Sequence, residues 1–124
     1  MIDATCPWRI AKELRSRGHR TATSAKELGA AQALDPDLLQ VLAALNEPVV
    51  LVTYDNKMPE EHAAEVRRNR ITLAIIDKDG RPPDLTEEEY WRDVIHRHVH
   101  KFIAQPTGSV WKYRCTNRRT RVKV

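Results

Sequence analysis

The run Val49-Val50-Leu51-Val52-Thr53 restricts this chain more than any other segment. It is β-branched and apolar without alternation, which describes a strand buried on both faces, as in a parallel sheet. A parallel neighbour requires a long crossover connection. The sequence around this run supplies one on each side, because the first 76 residues alternate short β-like runs with helical patterns. Ile2 leads into Asp3 as a very short first strand. Pro7 and Gly18 bracket a helix with Trp8, Ile10, Ala11 and Leu14 on its buried face. His19 to Thr23 reads as a second strand. Asp35-Pro36 opens a helix carrying Leu38, Leu39, Val41, Leu42 and Leu45, with Asn46 at its end. Pro59 starts a polar helix through about Asn69, and Ile71 to Ile76 forms a fourth strand.

After Asp77-Lys78-Asp79-Gly80 the pattern changes. Arg81-Pro82-Pro83 is a turn, and Thr86 with Glu89 forms a capping-box pattern that predicts a helix from Glu87 to Ala104. Val110 to Cys115 and Arg118 to Val124 predict two strands around Thr116-Asn117. The expected architecture is one α/β domain over 1–124: an α/β core over 1–80 with a central, mainly parallel four-stranded sheet, and a C-terminal helix with basic strands over 81–124. The length suits one domain with a real core. No apolar run approaches a membrane span, and the N-terminus lacks an apolar h-region, so the cytoplasm is the expected address.

In a parallel sheet, ligands gather outside the carboxyl ends of the strands. Asp3 lies at the end of the first predicted strand, Asp55 two residues past the Val49–Thr53 strand, and Asp35 at a helix N-terminus. Carboxylates brought together repel, and a hard divalent cation with oxygen ligands compensates them. Magnesium or manganese held this way serves phosphoryl chemistry. Each residue also has a plainer use: Asp35 as an N-cap, Asp55-Asn56 as a turn. Asp37 suits the helix dipole, while Asp77 and Asp79 end the fourth strand in a turn-like sequence and stand in reserve.

The charge is unevenly placed. Residues 111–124 hold Lys112, Arg114, Arg118, Arg119, Arg121 and Lys123 and no acidic residue. Setting those six aside leaves 15 basic against 17 acidic residues, a body of net charge −2. A basic edge on an acidic body suits contact with nucleic acid, although edge strands also carry Lys and Arg to stay soluble. Trp111 and Tyr113 share one predicted strand face, with Lys112 and Arg114 on the other. Trp91 is expected in the core. Among His96, His98 and His100, the first and last share a helix face, yet the ligand set for a metal is missing and surface positions are expected. Cys6 and Cys115 lack metal-ligand spacing and are expected as free thiols.

Three segments together resemble a known family. Asp3-Ala4-Thr5 resembles the opening of PIN domains, and Asp35-Pro36-Asp37-Leu38-Leu39 followed by Val49-Val50-Leu51-Val52-Thr53-Tyr54-Asp55 resembles their later helix, strand and Thr-x-Asp. Gly18-His19 through Lys26-Glu27-Leu28-Gly29 is similar to short PIN-like proteins of the VapC toxin type. The resemblance covers residues 1–76. It implies a three-layer PIN-like fold and a magnesium- or manganese-dependent endoribonuclease, the toxin of a type II toxin–antitoxin pair. Asp3, Asp35 and Asp55 would be its metal-site carboxylates, with Glu27 the remaining acid and Thr5 and Thr53 supporting hydroxyls. Its partners would be RNA, gripped by Lys112, Arg114, Arg118, Arg119 and Arg121, an antitoxin protein, and in some cases a second copy of the chain. The chain departs from larger PIN domains in lacking a long helical insertion before Asp35. A non-catalytic PIN-like module that binds nucleic acid or protein is the alternative.

Overall fold

The structure, a computed structural model, describes residues 9–19, 44, 49–116 and 118–123. The strand expected at Ile2, most of the strand from His19, and all but Ala44 of the helix opening at Asp35 lie outside the described residues. So do Asp3, Thr5, Cys6, Glu27, Asp35 and Asp37.

Helix α1, Arg9–Ser16, buries Ile10, Ala11 and Leu14. It ends as the sequence predicts. Gly18 takes a left-handed φ of 101°, Gly18 N–H donates to Arg15 O at 3.2 Å, and His19 N–H donates to Leu14 O at 3.0 Å. That bond pair is a Schellman ending, in which glycine meets the positive φ without a Cβ penalty.

The sheet has four strands in the order β1 (Val50–Thr53), β2 (Thr72–Ile76), β3 (Val110–Tyr113), β4 (Arg119–Val122). β1 pairs parallel with β2, and β2 parallel with β3, while β3 and β4 form an antiparallel hairpin. The protein is thus α/β with an open, mostly parallel sheet. β3, which the sequence placed in an extension to the core, occupies the interior of this sheet. The 18-residue helix α4, Glu87–Ala104, is the crossover that makes the β2–β3 pair parallel, and its capping box between Thr86 and Glu89 forms as expected.

The polar helix expected over Pro59–Asn69 is two short helices, α2 (Met58–Glu61) and α3 (Ala63–Arg68). His62 between them has φ −125° and ψ 34°, outside the helical range. Side-chain alternation splits the sheet's apolar residues into two sets. Val52, Ala74, Ile76 and Tyr113 pack with α1 and with Trp91, Val94, Ile95 and Phe102 of α4. Leu51, Leu73, Ile75 and Val110 pack with Met58 and Val66 of α2 and α3. Among the described residues, no helix is long and apolar enough to cross a membrane.

Candidate functional site: the carboxyl rim of the sheet

The carboxyl ends of β1, β2 and β3 lie side by side, because these three strands run parallel in register. Thr53 ends β1 fully buried, and its Oγ1 accepts the Asp55 N–H at 3.0 Å. Asp55 Oδ1 accepts the Lys57 N–H at 3.0 Å, and Asp55 O accepts the Met58 N–H at 3.3 Å. The turn chemistry foreseen for Asp55-Asn56 is therefore present. It uses one carboxylate oxygen and leaves Oδ2 without a hydrogen-bond partner among the described residues. Asn56 has a role the sequence did not assign: its Nδ2 donates to Tyr54 O at 3.1 Å and to Ile76 O at 3.0 Å. One amide thus ties the ends of β1 and β2 and fixes Asp55 relative to Asp77.

Asp77 is 7 % exposed and fully engaged. Its Oδ1 accepts the Asp79 N–H at 3.1 Å and caps the 3-10 turn Lys78–Gly80. Its Oδ2 accepts from Arg114 Nε at 2.9 Å, and its carbonyl accepts the Tyr90 hydroxyl at 2.7 Å. The Asp77 carboxylate raises the Arg114 pKa above its already high value. Burial pushes the Tyr90 hydroxyl up as well, so it remains a donor. A reserve acid in the sequence, Asp77 is here a structural anchor. Gly80 is held close over this anchor: a Cβ there would stand 2.6 Å from Arg114 Cγ and 2.7 Å from the Tyr90 hydroxyl. Lys78 places its ammonium 5.1 Å from the Tyr54 ring centroid, bringing a cation to the same rim.

The basic strands are arranged by their pleat. Trp111 and Tyr113 pack on the α4 face, as their spacing predicts. Arg119 stacks on Trp111 at 4.2 Å from the ring centroid and donates from Nη1 to the Tyr113 hydroxyl at 3.3 Å. Lys112 lies opposite Thr120, and Arg118 and Arg121 are exposed. Arg114 is paired with Asp77.

His100 is exposed as expected, His96 is half-buried, and His98 departs from its expected surface placement. His98 is 1 % exposed, and its Nε2 lies 2.8 Å from Arg114 O. Its position, four residues after Val94 and four before Phe102, puts it on the apolar stripe of α4, a signal the i,i+4 metal pattern obscured. His96 Nε2 lies 2.9 Å from Glu13 Oε2, and the Arg92 hydrogen bond to Glu13 lowers that carboxyl's pKa. These contacts join α4 to α1. Trp91 is buried as expected, and Cys115 is a free thiol.

Among the described residues, no group of three His, Cys, Asp or Glu side chains is placed to hold a metal ion. The rim brings Asp55, Asp77 and Asp79 to adjacent strand ends and commits Asp77 to Arg114. Asp3, Asp35 and Glu27 lie outside the described residues. Compared with protein-family models, with curated proteins and with solved structures, the chain shows no significant match.

Proposed function

We propose that this chain is a metal-dependent endoribonuclease with a three-layer PIN-like fold. The observation that carries the reading is the Asp55 carboxylate. It stands just past a buried parallel strand, on a backbone pinned by Thr53 and Asn56, with Oδ2 bonded to none of the described residues. A carboxylate so placed suits an oxygen-seeking divalent ion at the ligand-binding end of an α/β sheet. The donor set fits magnesium or manganese only when Asp3 and Asp35 join Asp55, with Glu27 assisting, since Asp77 is neutralised by Arg114. When bound, such an ion supplies Lewis-acid stabilisation of phosphoryl charge. The protein's own part is to hold the carboxylates still and to seat the RNA strand on half-buried Lys112 of β3 and the exposed cations of β4. A protein antitoxin is the proposed partner, and the cytoplasm the proposed compartment; both rest on the family resemblance.

The second reading, a non-catalytic nucleic-acid or protein-binding module, is favoured by the use of Asp55 Oδ1 as a turn cap and of Asp77 as an ion-pair partner. Cleavage of a mixed RNA with manganese or magnesium, beside an EDTA control, decides between them. Metal-dependent cutting that is lost in Asp55→Asn supports the nuclease. Equal RNA binding by both proteins without cutting supports the module.

A further inference from the structure

At the opposite end of the sheet from the carboxylate rim is a cleft of about 760 Å³. Arg67 and Arg70 line it from the end of α3, and Arg121 and Lys123 from the end of β4. All four are exposed, and among the described residues none of them forms an ion pair and no acidic side chain lines the cleft. The apolar part of its wall is Val66, Val110 and Val122. Four cations with no carboxylate partner among the described residues repel one another unless an anion enters.

The backbone at Arg70 is a second, independent sign. Arg70 N–H donates to Arg67 O at 3.2 Å and Ile71 N–H to Val66 O at 3.0 Å. This is the same Schellman ending that closes α1, but the left-handed position is filled by arginine at φ 50° instead of glycine. A non-glycine residue there is strained, because its Cβ crowds the following carbonyl. Arg70, held in this left-handed conformation, is among the residues that line the cleft.

We infer that this cleft anchors the phosphodiester backbone of single-stranded nucleic acid, at a site separate from the carboxylate rim. Arg70 and Asp77 stand beyond the two ends of β2, seven residues apart, roughly 23 Å at about 3.3 Å per residue. Three of the four cations are arginines, whose planar forks match phosphate oxygens in pairs. Arg121 and Lys123 line the cleft at two-residue spacing, while Arg119, two residues earlier, is stacked on Trp111. Such spacing favours a polymer with one negative charge per repeat over a peptide whose carboxylates must fall at matching intervals. The inference deepens the nuclease reading by assigning substrate contacts, and its test uses no metal, so failed cleavage leaves it standing.

The experiment is binding of a labelled oligouridylate in EDTA across a salt series, with wild type, Arg70→Gly, and the Arg67→Gln/Lys123→Gln double variant. Glycine at residue 70 removes the guanidinium and relieves the backbone, so that variant folds. The expected result is about a tenfold rise in Kd for the double variant and a smaller rise for Arg70→Gly. The salt slope should fall by about 0.7 for each phosphate that is no longer neutralised. Unchanged Kd and slope in both cleft variants would overturn the inference. So would polyglutamate of equal charge binding as tightly as the oligouridylate with the same sensitivity, which would assign the cleft to an acidic peptide.

Discussion

Arg114 Nε and Asp77 Oδ2, 2.9 Å apart, close the ends of β3 and β2 against each other. The two partners are unequally placed: the Asp77 side chain is 11 % exposed and that of Arg114 is 52 % exposed. Losing Arg114 strands a mostly buried carboxylate, whereas Asp77→Asn removes the charge and keeps the cap on Asp79. Arg114→Ala should therefore cost about 1–3 kcal/mol in urea denaturation, and Asp77→Asn less. The double variant should be no less stable than Arg114→Ala alone. A harmless Arg114→Ala would show that water already solvates the carboxylate.

At Asp55 the chemistry and the turn can be separated. Asparagine retains an acceptor for the Lys57 N–H, so Asp55→Asn should stay within about 0.5 kcal/mol of wild type in stability. Asp55→Ala loses the cap and should cost about 1 kcal/mol. RNA cleavage measured on both should be absent in each, which separates loss of the ligand from loss of the fold.

Gln105 joins three elements. Its Nε2 donates to Leu73 O at 2.9 Å, and its Oε1 accepts the Tyr113 hydroxyl at 2.8 Å, all in the buried region. Gln105→Leu removes the side-chain donor to Leu73 O and leaves the Tyr113 hydroxyl proton without its acceptor, and should cost about 2–4 kcal/mol. Tyr113→Phe should cost less, because Gln105 retains its bond to Leu73. Urea midpoints of the two variants test the ranking.

Burial lowers the pKa of His98 below its ordinary 6.5, despite the hydrogen bond to Arg114 O; Arg97 and Lys101 push in the same direction as burial. Above 6.5 the ring is neutral in both the folded and unfolded chain. As pH falls below that value, the unfolded chain takes up a proton the folded one resists, so stability declines. Urea midpoints at about pH 7.5 and about pH 5.5 should differ more for wild type than for His98→Gln, whose side chain does not titrate. Glu13, whose pKa is lowered by Arg92, acts in a separate window: its contribution is present above about 4.5 and is lost as pH falls through its lowered folded value.

Arg70→Gly should raise stability by about 1 kcal/mol, since glycine takes a left-handed φ without penalty. A urea midpoint below that of wild type would mean that the arginine side chain holds the turn through its packing.

The elements legible in the sequence are those whose signals are local. The Thr86–Glu89 capping box set the start of α4, Gly18 set the end of α1, and the unbroken apolar runs marked β1 and β2 as doubly buried. Each depends on residues within one or two turns of chain, where propensity and hydrogen-bonding chemistry act without tertiary help. Thr53 and Asp55 were legible at the rim for the same reason. What crosses between strands was decided by tertiary packing. It set β3 inside the sheet beside β2, gave Asp77 to Arg114, 37 residues away in sequence, and used Asn56 to tie two strand ends. It also buried His98 on a helix face that its two neighbouring histidines disguised, and gathered Arg67, Arg70, Arg121 and Lys123 from two distant segments around one cleft. Periodicity reports which face of an element is apolar; it does not report which other element meets that face, because that is settled by long-range packing and by the requirement that buried polar groups find partners.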